Sequence, residues 1–450
     1  MVTGRIFGSF AIANILFLIL SFFVIHRLVL NLGGTESQAL LAVFLVFIPY
    51  QVGQTEYTNM LLFGGSQYII KVLVPLLFIL LAEETEKQMG RKTILYLVIY
   101  EFLLFITCLS SGSYVLLCGL APLFLYYFLL YGFRIREVGS KDEFHRILIL
   151  LAVTVGAALT GLLVFAKSGI TTRGSGQLMT KFIDLPMNLH AIFVGLLDVF
   201  GTMPYNVDVK VLSFTGFIYI LKAAFTMLVL WIGAKIFIRT FLFRRRVRPR
   251  TAVLTVVLPW TIFVMIFADT RYASTNEYVE PRYFFIGIVM LLILTGIHLE
   301  PKLEAMLKGT GPALACAAVL LALLCDVQMV QSAGSSNYLY DILDAINAQE
   351  TPVGSVFVIA DNDTARILRL LDHSRTYCGA YYDDNDGIAV VDNYESYTSK
   401  GNLSQNNLIL CITGTNLTDY MTEDMTSTYT YVGTVDWFDM YYSDVCPFGD

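Results

Sequence analysis

Six side chains in this chain are of the right kind to handle an anion or move a proton: Glu56, Lys71, Glu101, Arg173, Arg271 and Arg282. Glu56, Arg173 and Arg271 stand in polar stretches between hydrophobic runs, where a carboxylate can take the proton of an incoming hydroxyl. Arginines in the same setting hold a phosphate through two parallel N–H donors. Arg173 sits in the glycine-rich stretch TTRGSGQ (171–177), which reads as an open loop or as a gate carrying a phosphate-seeking cation. Arg282 follows Glu280-Pro281 and precedes an apolar run. Pro281 suits the first position of a helix, which places Arg282 in the first turn, beside the positive end of the helix dipole. An anion would relieve that mismatch, and Glu280 or a ligand can supply it. Glu101 lies mid-segment in YLVIYEFLLF, while Lys71 and Lys222 lie nearer the ends of apolar runs. Ionisable groups at membrane depth face a cavity or a partner; the two lysines have stems long enough to snorkel.

No signature of soluble-enzyme chemistry accompanies these residues: GxSxG, HExxH, a Walker loop and GxGxxG are all missing. The seven cysteines form no CxxC and no zinc spacing. We therefore expect no metal and no cofactor. Cys108, Cys118, Cys316 and Cys325 fall in apolar runs and read as small core hydrophobes, whereas Cys378, Cys411 and Cys446 are free to pair in an oxidising compartment.

The elements that must position these groups are membrane helices. Only 15% of residues are charged and 56% are hydrophobic, against about 25% charge in a soluble domain. Apolar segments near 6–29, 38–50, 68–82, 93–109, 114–131, 147–166, 211–238, 251–267, 283–298 and 312–328 give an α-helical polytopic membrane protein of about ten spans. The stretch 185–201 carries Pro186, Asn188, His190 and Asp198 and reads as an interfacial or re-entrant helix. Basic clusters at Lys87/Arg91/Lys92, Arg134/Arg136/Lys141/Arg146, 239–250 and Lys302/Lys308 fall on one side if the spans alternate, and that side is cytoplasmic. Met1 then lies outside, from which we expect either a miscounted first helix or a preceding helix and loop absent from this chain. After Ser335 there are 18 Asp/Glu against 4 Lys/Arg, which argues against nucleic acid as a partner. Strand patterns at 355–360, 387–392 and 407–414, a helix at 364–372 and a late hairpin at 429–443 make residues 337–450 a small extracytoplasmic α/β C-terminal domain behind a 1–330 multi-span domain.

With outer loops carrying acids and arginines, an RYFF span late in the bundle and an outer α/β tail, the layout resembles the GT-C class of polytopic glycosyltransferases. The stretch EYTNMLLFGGSQYIIKVLVPLLFILLA (56–82) is also similar to a bacterial multi-pass family of unknown function, with Glu56-Tyr57-Thr58, Lys71 and Pro75 in corresponding places. The GT-C resemblance implies a plasma-membrane enzyme of cell-envelope assembly that uses a polyprenyl-phosphate sugar, or an inactive relative. It implies a catalytic acid in the first outer loop, so that either this chain is a fragment or paralogue without that loop or Glu56 substitutes for the acid. Arg282, with Arg271 or Arg173, would hold the lipid phosphate, and Lys71 and Glu101 would line the site. A transporter or flippase of an amphipathic substrate and a non-catalytic membrane scaffold are the other readings.

Overall fold

The computed structural model describes residues 6–48, 65–85, 91–110, 114–134, 141–167, 179–202, 208–242, 250–267, 279–304 and 338–348, and in the C-terminal part 357–361, 364, 368, 376–383, 387–391, 407–413, 426–435 and 438–443. It divides into two compact units, one spanning Phe10–Met329 and the other containing Val330–Asp450.

The larger unit is helical: α1 Ile6–Asn31, α2 Glu36–Phe47, α3 Gly65–Thr85, α4 Arg91–Ser110, α5 Ala121–Arg134, α6 Lys141–Lys167, α7 Leu185–Leu197, α8 Phe214–Phe237, α9 Val257–Phe267 and α10 Phe285–Glu304. Nine of the ten expected spans fall on helices; the tenth, 312–328, lies outside the described residues. By length and composition, five helical segments among the described residues qualify as spans, and four shorter apolar helices join them. The chain is a polytopic membrane protein.

Two helices form its centre. α10 is buried almost continuously from Phe284 to Leu294, and α3 from Ile69 to Glu84. Helices in lipid gain little from hydrophobicity itself and associate through close packing. Glycines on α10 provide that closeness: a Cβ at Gly296 would meet the Ala42 backbone at 2.6 Å, and one at Gly287 would meet Leu258 at 2.8 Å. Gly296→Ala should therefore lower stability by about 1–3 kcal/mol, the cost of overpacking, measured by unfolding in mixed micelles. At the far end of α10, Gln38 closes a capping box with Thr35 at the start of α2 and donates Nε2 to the Ile297 carbonyl at 3.0 Å.

Proline marks two places where the backbone needs outside help. In α3, Pro75 is interior, and its ring fills the space that a Cβ on Gly119 would enter at 2.9 Å. Before α5, residues Val115–Leu120 take a π-helical turn in which the Ala121 N–H bonds the Leu116 carbonyl. In the same register the Leu117 carbonyl would bond residue 122, which is Pro122 and has no N–H. Trp260 supplies the missing donor, its indole N–H reaching the Leu117 carbonyl at 2.9 Å.

Residues 182–200 are long and apolar enough to span, but their hydrogen bonds place them otherwise. Thr180 N–H bonds the Phe267 carbonyl, and the buried Asn188 amide bonds the Met265 and Ile266 carbonyls, all at the last turn of α9. Further along, the Val279 N–H bonds the Ala191 carbonyl, and the turn at 198–200 packs on Pro281–Tyr283. Both ends of α7 thus sit at the end of the bundle where α9 stops and α10 starts. It lies across that end, as an interfacial helix does.

In the C-terminal unit, α11 (Tyr338–Ala348) precedes six strands, β1 Phe357–Asp361, β2 Thr376–Asp383, β3 Gly387–Val391, β4 Asn407–Ile412, β5 Thr430–Val435 and β6 Phe438–Ser443. Their order is β3-β2-β1-β4-β6-β5, with β1 parallel to β2 and β4 and the outer pairs antiparallel. Ile342, Leu343 and Ile346 of α11 join Val358, Leu408, Leu410 and Met440 in its core. β1, β3, β4 and the closing hairpin lie where expected; β2 was not anticipated. Cys411 is a buried free thiol whose pKa desolvation pushes up to about 12, so it is inert rather than half of a disulfide.

Candidate functional site

α3 and α10 begin at the same end of the bundle, the end opposite the basic clusters, and their first turns meet. Pro281–Tyr283 forms a tight turn ahead of α10 with Pro281 in its first positions. Arg282 forms an ion pair with Glu280 and hydrogen-bonds Tyr68 of α3. One turn on, Lys71 places its ammonium 4.6 Å from the centre of the Tyr68 ring and within electrostatic reach of Arg282. Tyr114, at the start of the π-turn, donates to the Tyr283 carbonyl at 2.7 Å and packs edge-on against the Tyr283 ring. Tyr68, Tyr114 and Tyr283 thus gather around Arg282 and Lys71, with Glu280 paired to Arg282.

Lys71 differs from its expectation. It is 9% exposed, enclosed by its neighbours rather than extended along the surface of the bundle. Of the six expected residues, Arg282 and Lys71 come together. Glu101 does not join them. It lies nine residues before the end of α4, about 13 Å along the helix axis, and its Oε1 is buried without a hydrogen-bond partner among the described residues. Glu56, Arg173 and Arg271 lie outside the described residues.

The structure adds Asp198. It is 7% exposed, in the turn that packs on Pro281–Tyr283, and interacts electrostatically with Lys222. The sequence showed it only as one acid among many, since its burial depends on α7 lying across the end of the bundle. Gly195 makes that position attainable: a Cβ there would come within 1.9 Å of the Val279 carbonyl oxygen. No group of three or more metal-binding side chains occurs among the described residues.

Chemically, the cluster can hold one anion. Cations at a partly desolvated boundary attract an anion more strongly than they would in bulk water, and Arg282 and Lys71 offer planar and point-charge donors side by side.

No family model matches this sequence, and no curated protein matches it. The chain is similar in structure to ArnT from Cupriavidus metallidurans, solved in the apo state. That likeness covers 98% of this chain and 84% of ArnT, with a TM-score of 0.47 and 12% identity. Similarity at that level assigns neither family nor activity, and the functional reading rests on the site itself.

Proposed function

We propose that the Arg282–Lys71 cluster binds the phosphate of a polyprenyl-phosphate sugar, and that the protein is a GT-C-like glycosyltransferase of the plasma membrane with its C-terminal unit outside the cytoplasm. The observation that carries this reading is the approach of Lys71 to the Arg282–Glu280 pair at the entrance of the two most buried of the described helices. In the reaction, the acceptor oxygen attacks the anomeric carbon and its proton passes to a carboxylate. The bond from that carbon to phosphate oxygen breaks, and the lipid phosphate leaves as an anion. Arg282 and Lys71 stabilise the charge that grows on that phosphate. Glu280 is engaged by Arg282, so Glu56 and Asp198 are the carboxylates to test as base.

The whole chain in lipid nanodiscs should bind polyprenyl phosphate and not the corresponding polyprenol, as read by calorimetric titration. It should also release polyprenyl phosphate from a polyprenyl-phosphate sugar when an acceptor is present. Equal affinity for phosphate and alcohol overturns the phosphate site. Phosphate-selective binding without turnover would leave a binding protein and withdraw the enzyme.

A further inference from the structure

α7 and the turn before it are apolar on both faces. Inward, Ala191, Ile192, Gly195 and Leu196 are buried against the bundle. Outward, Phe182, Ile183, Met187, Leu189 and Phe193 are exposed, Phe182 at 91% and Ile183 at 84%. A helix that is hydrophobic all round belongs to a protein core or to a membrane. The depth at which α7 lies therefore decides what meets its outward face.

α6 measures that depth. Between Arg146 and Lys167 it holds no charged residue, and the 21-residue segment Ile147–Lys167 is as long as a hydrocarbon core of ~30 Å requires. Lys167 thus marks the membrane boundary at the end away from the basic clusters. Tyr100 of α4 donates to Thr154 of α6, and its ring packs on Phe78 of α3, so these three residues share a level. From that level Lys167 stands 13 residues outward and Lys71 only seven, which leaves Lys71 about 9 Å inside the boundary along the helix axes. α8 gives the same answer on the other flank. A Cβ on Gly233 would meet Leu291 of α10 at 2.7 Å, and Phe225 packs on Phe200, in the turn that sits on Pro281–Tyr283. The residues of α8 from Phe214 up to that level run on outward for about 16 Å. Phe214, Phe217, Ile220 and Leu221 along them are exposed, with no charge before Lys222.

The end of the bundle at which α9 stops and α10 starts therefore lies below the membrane surface, and α7 crosses it there. We propose that α7 lies in the acyl layer of the leaflet at that end, with Phe182, Ile183, Met187 and Phe193 as its contact with lipid. Its lipid-facing surface continues that of α8, because Asp198, just past the end of α7, stands beside Lys222. Lys181, exposed at the other end, has a stem long enough to reach the headgroups. An anion carried by a lipid can then approach Arg282 sideways from the leaflet, although the placement of α7 does not rest on that use.

Tryptophan fluorescence of the full chain in phosphatidylcholine vesicles tests this. Trp231→Phe with Trp437→Phe leaves Trp260 as the only one of three tryptophans. Ile183→Trp or Met187→Trp in that protein adds a second indole at an exposed position, where it meets no neighbour. The fluorescence gained over the protein with Trp260 alone reports the surroundings of α7. Leu163→Trp, at an exposed position of α6 within the uncharged span, is the reference for lipid. Phosphatidylcholine brominated along its chains should remove most of the gained fluorescence at 183 and at 187, as it does at 163, and aqueous iodide should leave it. Loss to iodide, with or without loss to the brominated lipid, places that face at the headgroups or in water and overturns the proposal. Loss to neither quencher means that another part of the protein covers the face, which overturns it equally. None of these results depends on whether the Arg282 cluster binds phosphate.

Discussion

Arg27→Met should destabilise the bundle by roughly 2–4 kcal/mol, somewhat below the cost of leaving a fully buried charge unpaired because Arg27 is half-exposed. Its partner is Glu84, 7% exposed at the last turn of α3. Glu84 Oε1 accepts from Arg27 Nε and Asn31 Nδ2, both at 3.2 Å, and Oε2 accepts from the Thr93 hydroxyl at 3.3 Å. Arg250, in the turn Arg250–Thr255 ahead of α9, reaches the Asn31 carbonyl, so α1, α3, α4 and that turn are tied at one point. Beside it, Glu83 accepts from the Tyr127 hydroxyl at 3.0 Å. Removing Arg27 leaves the Glu84 charge with the neutral donors Asn31 and Thr93 among the described residues. Glu84→Gln keeps one oxygen for Arg27 and Asn31 and turns its NH2 toward the Thr93 hydroxyl, which can accept; it should cost about 1 kcal/mol, the worth of an ordinary hydrogen bond. Arg27→Met combined with Glu84→Leu should recover much of the loss, because it removes both desolvation penalties. Unfolding of the four proteins in mixed micelles gives the coupling directly. Additive losses in the double variant would mean that the pair is solvated and contributes little.

The two carboxylates at 83–84 also show where reading the sequence stops. Ala82-Glu83-Glu84-Thr85-Glu86-Lys87 reads as a solvated helix end, because charge is followed by more charge. They are buried because Arg27, Asn31, Thr93 and Tyr127 arrive from three other helices, up to 57 residues away in sequence. The spans were legible because lipid demands a long apolar run whatever the neighbours are. α7 was legible through its own Pro186 and Asn188 and through Asp198 just past its end, which no lipid-facing span would carry together. β2 was not: TYCGAYYD has a glycine at its centre and no Val or Ile, and it becomes a strand through pairing with β1 and β3. At the candidate site, Pro281 announced Arg282, but its neighbour Lys71 comes from a helix more than 200 residues earlier. Local sequence can show that a cation wants an anion; only the packing of α3 on α10 shows that a second cation stands beside it.

Arg282→Lys separates a phosphate clamp from a local anchor. As a clamp, Arg282 donates two prongs, and lysine keeps the charge but loses the planar geometry. Polyprenyl phosphate affinity should then fall roughly ten- to a hundredfold, the equivalent of one charge-assisted hydrogen bond at about 1.5–3 kcal/mol. The neighbours sharpen the test. Glu280 competes with any bound phosphate for Arg282, so Glu280→Gln should leave affinity unchanged or raise it, while Lys71→Met should lower it. Substitutions on either side of one ion pair thus act in opposite directions on binding. If the pair only anchors the start of α10, Arg282→Lys and Glu280→Gln should behave alike. Each would cost under about 1 kcal/mol, as for a partly exposed ion pair, and would appear in the unfolding midpoint with no change in the titration. Unchanged affinity in Arg282→Lys and Lys71→Met, with equal small losses of stability for Arg282→Lys and Glu280→Gln, would retire the clamp and the proposed glycosyl transfer with it.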